Sequence, residues 1–115
     1  MEDLLIETLT AKFGYPVMLQ GSMLPSEQYP EHFFTFWNDS ADGTSFYSNQ
    51  EGAILWKYSL NFYSSDPEAV SSTLIEAKNV LKEVGFIATG GGYSVASDEP
   101  THTGRGITVR YRQNI

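Results

Sequence analysis

Residues 53–63 read AILWKYSLNFY, the stretch with the clearest two-residue period in the chain. Because successive side chains of a strand point to opposite faces, this alternation predicts a β-strand with one apolar face. The apolar side holds Ile54, Trp56, Tyr58, Leu60 and Phe62, and the polar side holds Lys57, Ser59 and Asn61. We therefore expect one face of this strand in the core and the other against water or a polar partner.

The segment that follows carries the signals of a helix. Asp66 suits the N-cap, Pro67 suits the first helical position, and Gly85 suits the residue that ends a helix. Between them, apolar residues recur at helical spacing: Val70, Leu74, Ala77, Leu81 and Val84. Such a stripe predicts an amphipathic helix that lies with one face on a sheet.

Weaker signals complete the secondary structure. Apolar residues at helical spacing predict a helix over residues 2–13 that ends at Gly14. The remaining short strand candidates are VML (17–19), HFFTFW (32–37), FIAT (86–89), YSVAS (93–97) and GITVRYR (106–112). With FIAT and YSVAS, which flank Gly90–Gly92, counted as one interrupted strand, the element order is α-β-β-β-α-β-β, which predicts a single α+β domain over residues 1–115. We expect a mostly antiparallel sheet with two helices packed on one face.

Residues 38–52, NDSADGTSFYSNQEG, lie between two strand candidates and predict a loop longer than an ordinary hairpin turn. Phe46 and Tyr47 lie near its middle. Adjacent aromatics in a polar loop either anchor a partner or fold back on their own domain, and the sequence leaves both readings open.

Residues 97–106, SDEPTHTGRG, gather side chains that are able to act as acid, base and anion clamp: Asp98, Glu99, His102 and Arg105. They would suit a small hydrolase or transferase. An acid–base site usually draws its groups from different elements, whereas these are neighbours between two strands. We favour a turn that is shaped by Pro100 and Gly104 and in which Arg105 forms ion pairs with nearby carboxylates. The segment then has a role in structure or in subunit contact.

The chain carries a formal charge of −7, distributed unevenly. Residues 1–51 hold eight acids and one lysine, whereas residues 52–115 hold six charges of each sign. A net acidic chain is a poor ligand for the phosphates of DNA or RNA. Arg110 and Arg112 share one face of the last strand, so they either form a solvated surface or meet the acidic half of another copy. A head-to-tail contact of that second kind closes into a ring where the rotation permits.

Other classes of function find little support. The chain has no cysteine, which excludes thiolate metal sites and fits a reducing compartment, and its two histidines, His32 and His102, lie in no metal-binding pattern. The run Gly90–Gly92 fails the spacing of a phosphate-binding loop, so it predicts a turn or bulge. No apolar run approaches the ~20 residues that span a bilayer, and the acidic start is unlike a signal peptide. We expect no metal, no cofactor, no membrane contact and a cytoplasmic location.

Three stretches resemble a family of small proteins encoded among the head-to-tail joining and tail-terminator genes of tailed phages and prophages of Gram-positive bacteria. They are YPEHFFTFWN (29–38), ILWKYSLNFYSSDPE (54–68) and GFIATGGGYSVASDEPTHTGRGITVRYR (85–112). The most specific parts are F-x-T-F-W-N, F-Y-S-x-D-P and S-D-E-P-T-H-T-G-R-G, and the resemblance covers the chain from about residue 15 to residue 112.

The resemblance implies a structural role without catalytic residues. Tail terminators are α+β subunits that form hexameric rings at the head-proximal end of the tail tube, stop its growth and dock it to the neck. The expected partners are sibling subunits, the tail tube protein and a neck protein, while DNA passes through without specific binding. The alternatives are another neck or head-closure ring, a hydrolase that uses residues 97–106, or a ligand-binding module with an aromatic pocket near Trp37 and Trp56.

Overall fold

The central strand of the fold is the one that the alternating pattern predicts. A computed structural model describes residues 2–19, 31–44, 52–95 and 102–114. Its elements are helix α1 (Glu2–Phe13), strands β1 (Val17–Leu19), β2 (His32–Thr44) and β3 (Ala53–Ser64), helix α2 (Pro67–Glu83), and strands β4 (Tyr93–Val95) and β5 (Thr103–Asn114). The predicted α-β-β-β-α-β-β order is confirmed.

The described strands form one five-stranded sheet in the order β1-β2-β3-β5-β4. The β2–β3, β3–β5 and β4–β5 pairings are antiparallel. The short β1 strand pairs with β2 in parallel, and the amide of Phe34 donates to the carbonyl oxygen of Pro16 at 2.8 Å next to this pairing. The protein is therefore α+β with a mixed, mostly antiparallel sheet.

Both helices pack on the same face of the sheet. Leu5 and Leu9 of α1 and Leu74 of α2 belong to one buried cluster with apolar side chains of the sheet. The sheet contributes Phe34, Phe36, Tyr58, Leu60, Phe62, Ile107 and Val109 to this cluster. These residues alternate along their strands, so the two-residue period of the sequence directly selects the face that the helices cover.

Helix α2 starts as predicted but ends one residue earlier than its apolar stripe. The carboxylate of Asp66 accepts a hydrogen bond from the amide of Glu68 at 3.1 Å, and Pro67 occupies the first turn. The helix ends at Glu83, and Gly85 follows with a φ of +106°. Val84, predicted to complete the stripe, is the C-cap and is 38% exposed, because the chain leaves the helix there.

Strand β2 is longer than predicted, and the predicted loop over residues 38–52 is correspondingly wrong for residues 38–44. These small polar residues pair with β3 from Tyr58 back to Ala53, with one irregularity between Asn38 and Ser40. Pairing with a strongly patterned neighbour overrides their weak intrinsic strand preference. The rest of that predicted loop, including Phe46 and Tyr47, falls within residues 45–51 and outside the described residues.

Two further strand predictions need correction. Residues 86–89 form only one bridge, in which the amide and carbonyl groups of Ile87 and Arg110 exchange hydrogen bonds of 2.7 and 2.9 Å. The positive φ angles of Gly90 and Gly92 then turn the chain before a longer ladder forms. Strand β5 begins at Thr103, so residues 103–106 belong to the sheet and Gly104 does not shape a turn as predicted.

Candidate functional site

The face of the sheet opposite the helices carries the candidate site. Strand register places one set of side chains on this surface, which we call the open face: Trp37, Lys57, Ser59, Asn61, Thr108 and Arg110. Tyr93 and Val95 of β4 border it, because they pair with Gly106 and Gly104. Among the described residues, both helices lie on the other side of the sheet, so neither covers this face.

A shallow groove of about 390 Å³ crosses the open face. Its lining consists of Trp37, Asp39, Ser59, Asn61, Tyr93 and Val95. Trp37 and Tyr93 stand at the groove with 51% and 45% of their surfaces exposed. Exposed aromatic side chains of this size are typical of surfaces that bind a partner or a ligand.

Two glycines of β5 shape the open face by leaving space above the strand. A Cβ atom on Gly104 would lie 2.6 Å from the ring of Tyr63 and 2.7 Å from the side chain of Val95. A Cβ atom on Gly106 would collide with the amide oxygen of Asn61. The alternating glycines let large side chains of the neighbouring strands lie across β5.

An irregularity in β2 brings a carboxylate to the groove. Asn38 pairs with Tyr58 and Ser40 pairs with Lys57, which leaves Asp39 as the extra residue of a β-bulge. The hydroxyl of Ser59 donates to the Asp39 carboxylate at 2.7 Å. Thr35 pairs with Asn61, which lines the groove, and the buried hydroxyl oxygen of Thr35 has no hydrogen-bond partner among the described residues.

Positive charge accumulates beside the groove. Lys57 lies directly opposite Arg110 in the β3–β5 ladder, and Arg112 follows two residues later opposite Leu55. Like charges directly opposite each other across two strands are destabilising. In the part of the chain that the structure describes, neither Lys57 nor Arg110 forms a salt bridge. The predicted shared face of Arg110 and Arg112 is thus present, and Lys57 extends it.

The described members of the 97–106 segment are not brought together. The ring of His102 lies 5.8 Å from that of Phe33, which follows the open-face alternation of β2. Arg105 pairs with Phe62 on the helix side, where its guanidinium donates to the carbonyl oxygens of Gly91 at 2.7 Å and Gly92 at 3.2 Å. Both of these partners are carbonyl groups, and the predicted pairing of Arg105 with carboxylates of its own loop stays a prediction. Asp98 and Glu99 lie outside the described residues.

The predicted aromatic pocket near Trp37 and Trp56 is wrong, because the two side chains lie on opposite faces of the sheet. Trp37 pairs with Ser59 on the open face, whereas Trp56 packs against the core and donates from its indole nitrogen to Gln113 at 3.0 Å. Sequence reasoning missed Tyr93 and Asp39 as neighbours of Trp37. The alternation of Gly104 and Gly106 in the sequence was a signal that side chains of neighbouring strands lie across this strand.

A second depression, which we call the helix groove, lies between α1 and α2 on the opposite side of the molecule. It has a volume of about 440 Å³ and is mainly apolar. Its lining includes Leu4, Ala11, Val80 and Val84 together with Glu7 and Lys12. The two helices contain six acidic residues and three lysines, so this side of the protein is acidic.

One buried group has an unusual environment. The side chain of Tyr58 is fully buried, and its hydroxyl has no hydrogen-bond partner among the described residues. Burial, with a smaller contribution from the nearby charge of Glu2, raises the pKa of Tyr58 to about 12. The neutral hydroxyl is therefore strongly favoured in the folded protein.

Within residues 2–19, 31–44, 52–95 and 102–114, no three histidine or carboxylate side chains come close enough to hold a metal ion. No helix in the same ranges has the length and apolar character needed to cross a membrane. No protein-family model matches the chain, and no curated protein sequence is significantly similar to it. The fold and site define an α+β protein with a helix layer on one side of its sheet and an open aromatic and basic face on the other.

Proposed function

We propose that this protein is a structural, non-enzymatic component of a tailed phage or prophage virion, namely the tail terminator. In this role several copies, six by the family resemblance, form a ring at the head-proximal end of the tail tube. The ring stops growth of the tube and docks it to a neck protein. The subunits assemble in the host cytoplasm and end in the virion, and DNA passes through the ring without specific binding.

The observation that carries the proposal is the open face. A sheet whose second side exposes Trp37 and Tyr93, and sets Lys57 opposite Arg110, has the character of a surface built for a macromolecular partner. The resemblance of the sequence to tail-terminator and head-to-tail joining proteins supports a neighbouring virion component as that partner. The net charge of −7 supports a ring that DNA passes without being held.

The predicted interface residues have unequal support. Arg110, Arg112 and His102 lie where a partner would reach them, since both arginines are exposed and His102 is partly exposed. Arg105 is engaged with the glycine turn of its own chain, so we assign it a structural role in this proposal. Phe46, Tyr47, Asp98 and Glu99 remain predicted contacts to sibling subunits, the tail tube or the neck.

The decisive experiment combines the purified protein with tail tubes of the encoding phage. We expect electron microscopy to show a ring at one end of each tube and to show that tubes polymerised with the protein stay short. A control reaction contains the same tubes without the protein. Failure to bind tube ends would contradict the terminator role, and binding to purified necks but not to tubes would instead identify a neck or head-closure ring.

The groove between Trp37 and Tyr93 supports a second candidate, a small-ligand binding module, because it combines aromatic walls with a polar floor. A thermal-shift screen against a metabolite panel tests this function. A ligand that raises Tm in the wild type but not in Trp37→Ala would favour it, since binding to the folded state stabilises that state. No shift across the panel would count against it.

A further inference from the structure

We infer that two opposite surfaces of this chain bind each other in neighbouring copies, so that the open face of one copy packs on the helix groove of the next. This inference rests on the proposed ring-forming function and specifies the contact that builds the ring. It follows from the complementary shape, polarity and charge of the two surfaces.

The open face supplies the aromatic and basic side of the contact. Trp37 and Tyr93 project from an otherwise polar groove, which makes them suited to enter an apolar depression on a partner. Beside them, the opposed pair of Lys57 and Arg110 concentrates positive charge. A carboxylate from a partner would relieve the repulsion within this pair.

The helix groove supplies the apolar and acidic side. Leu4, Ala11, Val80 and Val84 give it an apolar floor, and Val84 is 38% exposed. Glu7 lies in the lining, and the α2 residues Glu76 and Glu83 are exposed on the same helix as Val80. Lys12 is the basic exception in the lining. The surface therefore offers an apolar floor and exposed carboxylates, whereas the described open face is aromatic and basic apart from the carboxylate of Asp39, which accepts from Ser59.

These properties favour a head-to-tail contact over a symmetric one. Two open faces placed together would oppose two Lys57–Arg110 pairs, and two helix layers would oppose two acidic surfaces. Joining unlike surfaces avoids both repulsions. Because the surfaces lie on opposite sides of the same chain, each copy retains a free surface for the next, which is the condition for a ring or filament.

The absence of cysteine from the chain permits a direct test. Thr108→Cys marks the open face, Ala11→Cys marks the helix groove, and Ser71→Cys marks an exposed position on a different side of α2 as a matched control. Each variant is treated with a short bismaleimide, alone and in pairwise mixtures. The sheet and the helix layer separate the two marked surfaces within one chain, so a cross-link between them joins two copies.

We expect a cross-linked dimer when Thr108→Cys is mixed with Ala11→Cys, and little product from either variant alone or from mixtures with Ser71→Cys. Efficient cross-linking of Thr108→Cys with itself, or of Ala11→Cys with itself, would overturn the head-to-tail arrangement. A lack of product in every combination at concentrations where the wild type is oligomeric by native mass spectrometry would also overturn it. If the wild type is monomeric in solution, the reactions are performed on tube ends.

Charge exchange provides a second, independent readout. Lys57→Glu combined with Arg110→Glu should weaken association of the copies by about tenfold or more, since it places acids against acids. Adding Glu7→Lys and Glu83→Lys to the same chain should restore association, whereas adding Glu68→Lys, at the other end of α2, should not. Absence of rescue by the first pair would count against this contact.

The two proposals fail in different ways. Loss of the cross-linking pattern while the wild type still caps tail tubes would disprove this contact and leave the terminator function standing. The expected cross-links from a protein that ignores tube ends would support the contact and disprove the terminator function.

Discussion

At the scale of single residues, Tyr58 shows most clearly how burial changes a side chain. The alternating pattern places it on the core side of β3, where its ring contributes apolar area. The same position removes its hydroxyl from water without giving it a partner among the described residues. A buried hydroxyl without a hydrogen bond reduces the stability that burial of the ring provides.

Tyr58→Phe should therefore raise the free energy of unfolding at neutral pH by about 1 kcal/mol, because it removes an unsatisfied polar group and retains the ring. Urea unfolding monitored by circular dichroism measures the change. Tyr93→Phe is the matched control, since Tyr93 is exposed and its hydroxyl can remain hydrated. A loss of stability in Tyr58→Phe would indicate that the hydroxyl has a hydrogen-bond partner.

The raised pKa of Tyr58 also gives a signed prediction for alkaline solution. Above the ordinary pKa of 10.0 the unfolded chain releases this proton, whereas the folded protein retains it until a pH of about 12. Stability therefore falls with rising pH across this window, since the unfolded state binds fewer protons. Tyr58→Phe should lose less stability than the wild type between these pH values, and equal losses would contradict the shift.

At the scale of elements, helix α2 is stabilised by the N-cap Asp66, which the sequence predicts. The Asp66 carboxylate accepts from the Glu68 amide at 3.1 Å, which satisfies one of the free donors at the helix start. Asp66→Ala should lower the free energy of unfolding by about 1 kcal/mol. Asp66→Asn should stay close to the wild type in urea unfolding, because asparagine also caps; equal losses in both variants would exclude capping as the cause.

The packing of strand β5 against its neighbours requires glycine at position 104, where there is no room for a side chain. A methyl group there would lie 2.6 Å from the Tyr63 ring, and that ring is stacked on Phe33 at 5.2 Å between centroids. Because neighbours hold the ring, Gly104→Ala should destabilise the protein by about 1–3 kcal/mol. Gly91→Ala is the control, since its nearest atom lies 4.0 Å away. Differential scanning calorimetry compares the two, and similar Tm values would contradict the close approach.

At the scale of the whole molecule, the distribution of charge matters more than its total. The described part of the protein has an acidic helix layer on one side of the sheet and a basic cluster of Lys57, Arg110 and Arg112 on the other. A contact that joins these two surfaces is partly electrostatic, and salt screens exposed charges.

Association between copies should therefore weaken as sodium chloride rises from about 0.05 M to about 0.5 M. Analytical ultracentrifugation or native mass spectrometry after rapid exchange follows the distribution of species. Lys57→Glu with Arg110→Glu should show the opposite trend, with weak association that strengthens as salt rises, because salt then screens a repulsion between acids. Association of the wild type that is insensitive to salt would show that apolar contacts alone hold the copies together.

The sequence predicted the order of elements, the caps of α2 and the face of β3 that enters the core. These predictions succeeded because helix capping and the two-residue period of a strand both depend on residues that are close together in the sequence. The sequence prediction failed over residues 38–44, because these small polar residues form a strand only through backbone hydrogen bonds to β3. It also misplaced Val84 and residues 86–89, whose conformations depend on where a helix and a turn end.

The local pattern of this sequence determined which residues are apolar, where the helices start, and that the chain forms a mostly antiparallel α+β fold. Only the tertiary structure decided which side chains become neighbours. Strand register separated Trp37 from Trp56, sent His102 and Arg105 to different sides, and placed Tyr93 beside Trp37 across two intervening strands. Register joins residues that are distant in sequence, and a shift of one position exchanges the two faces of a strand.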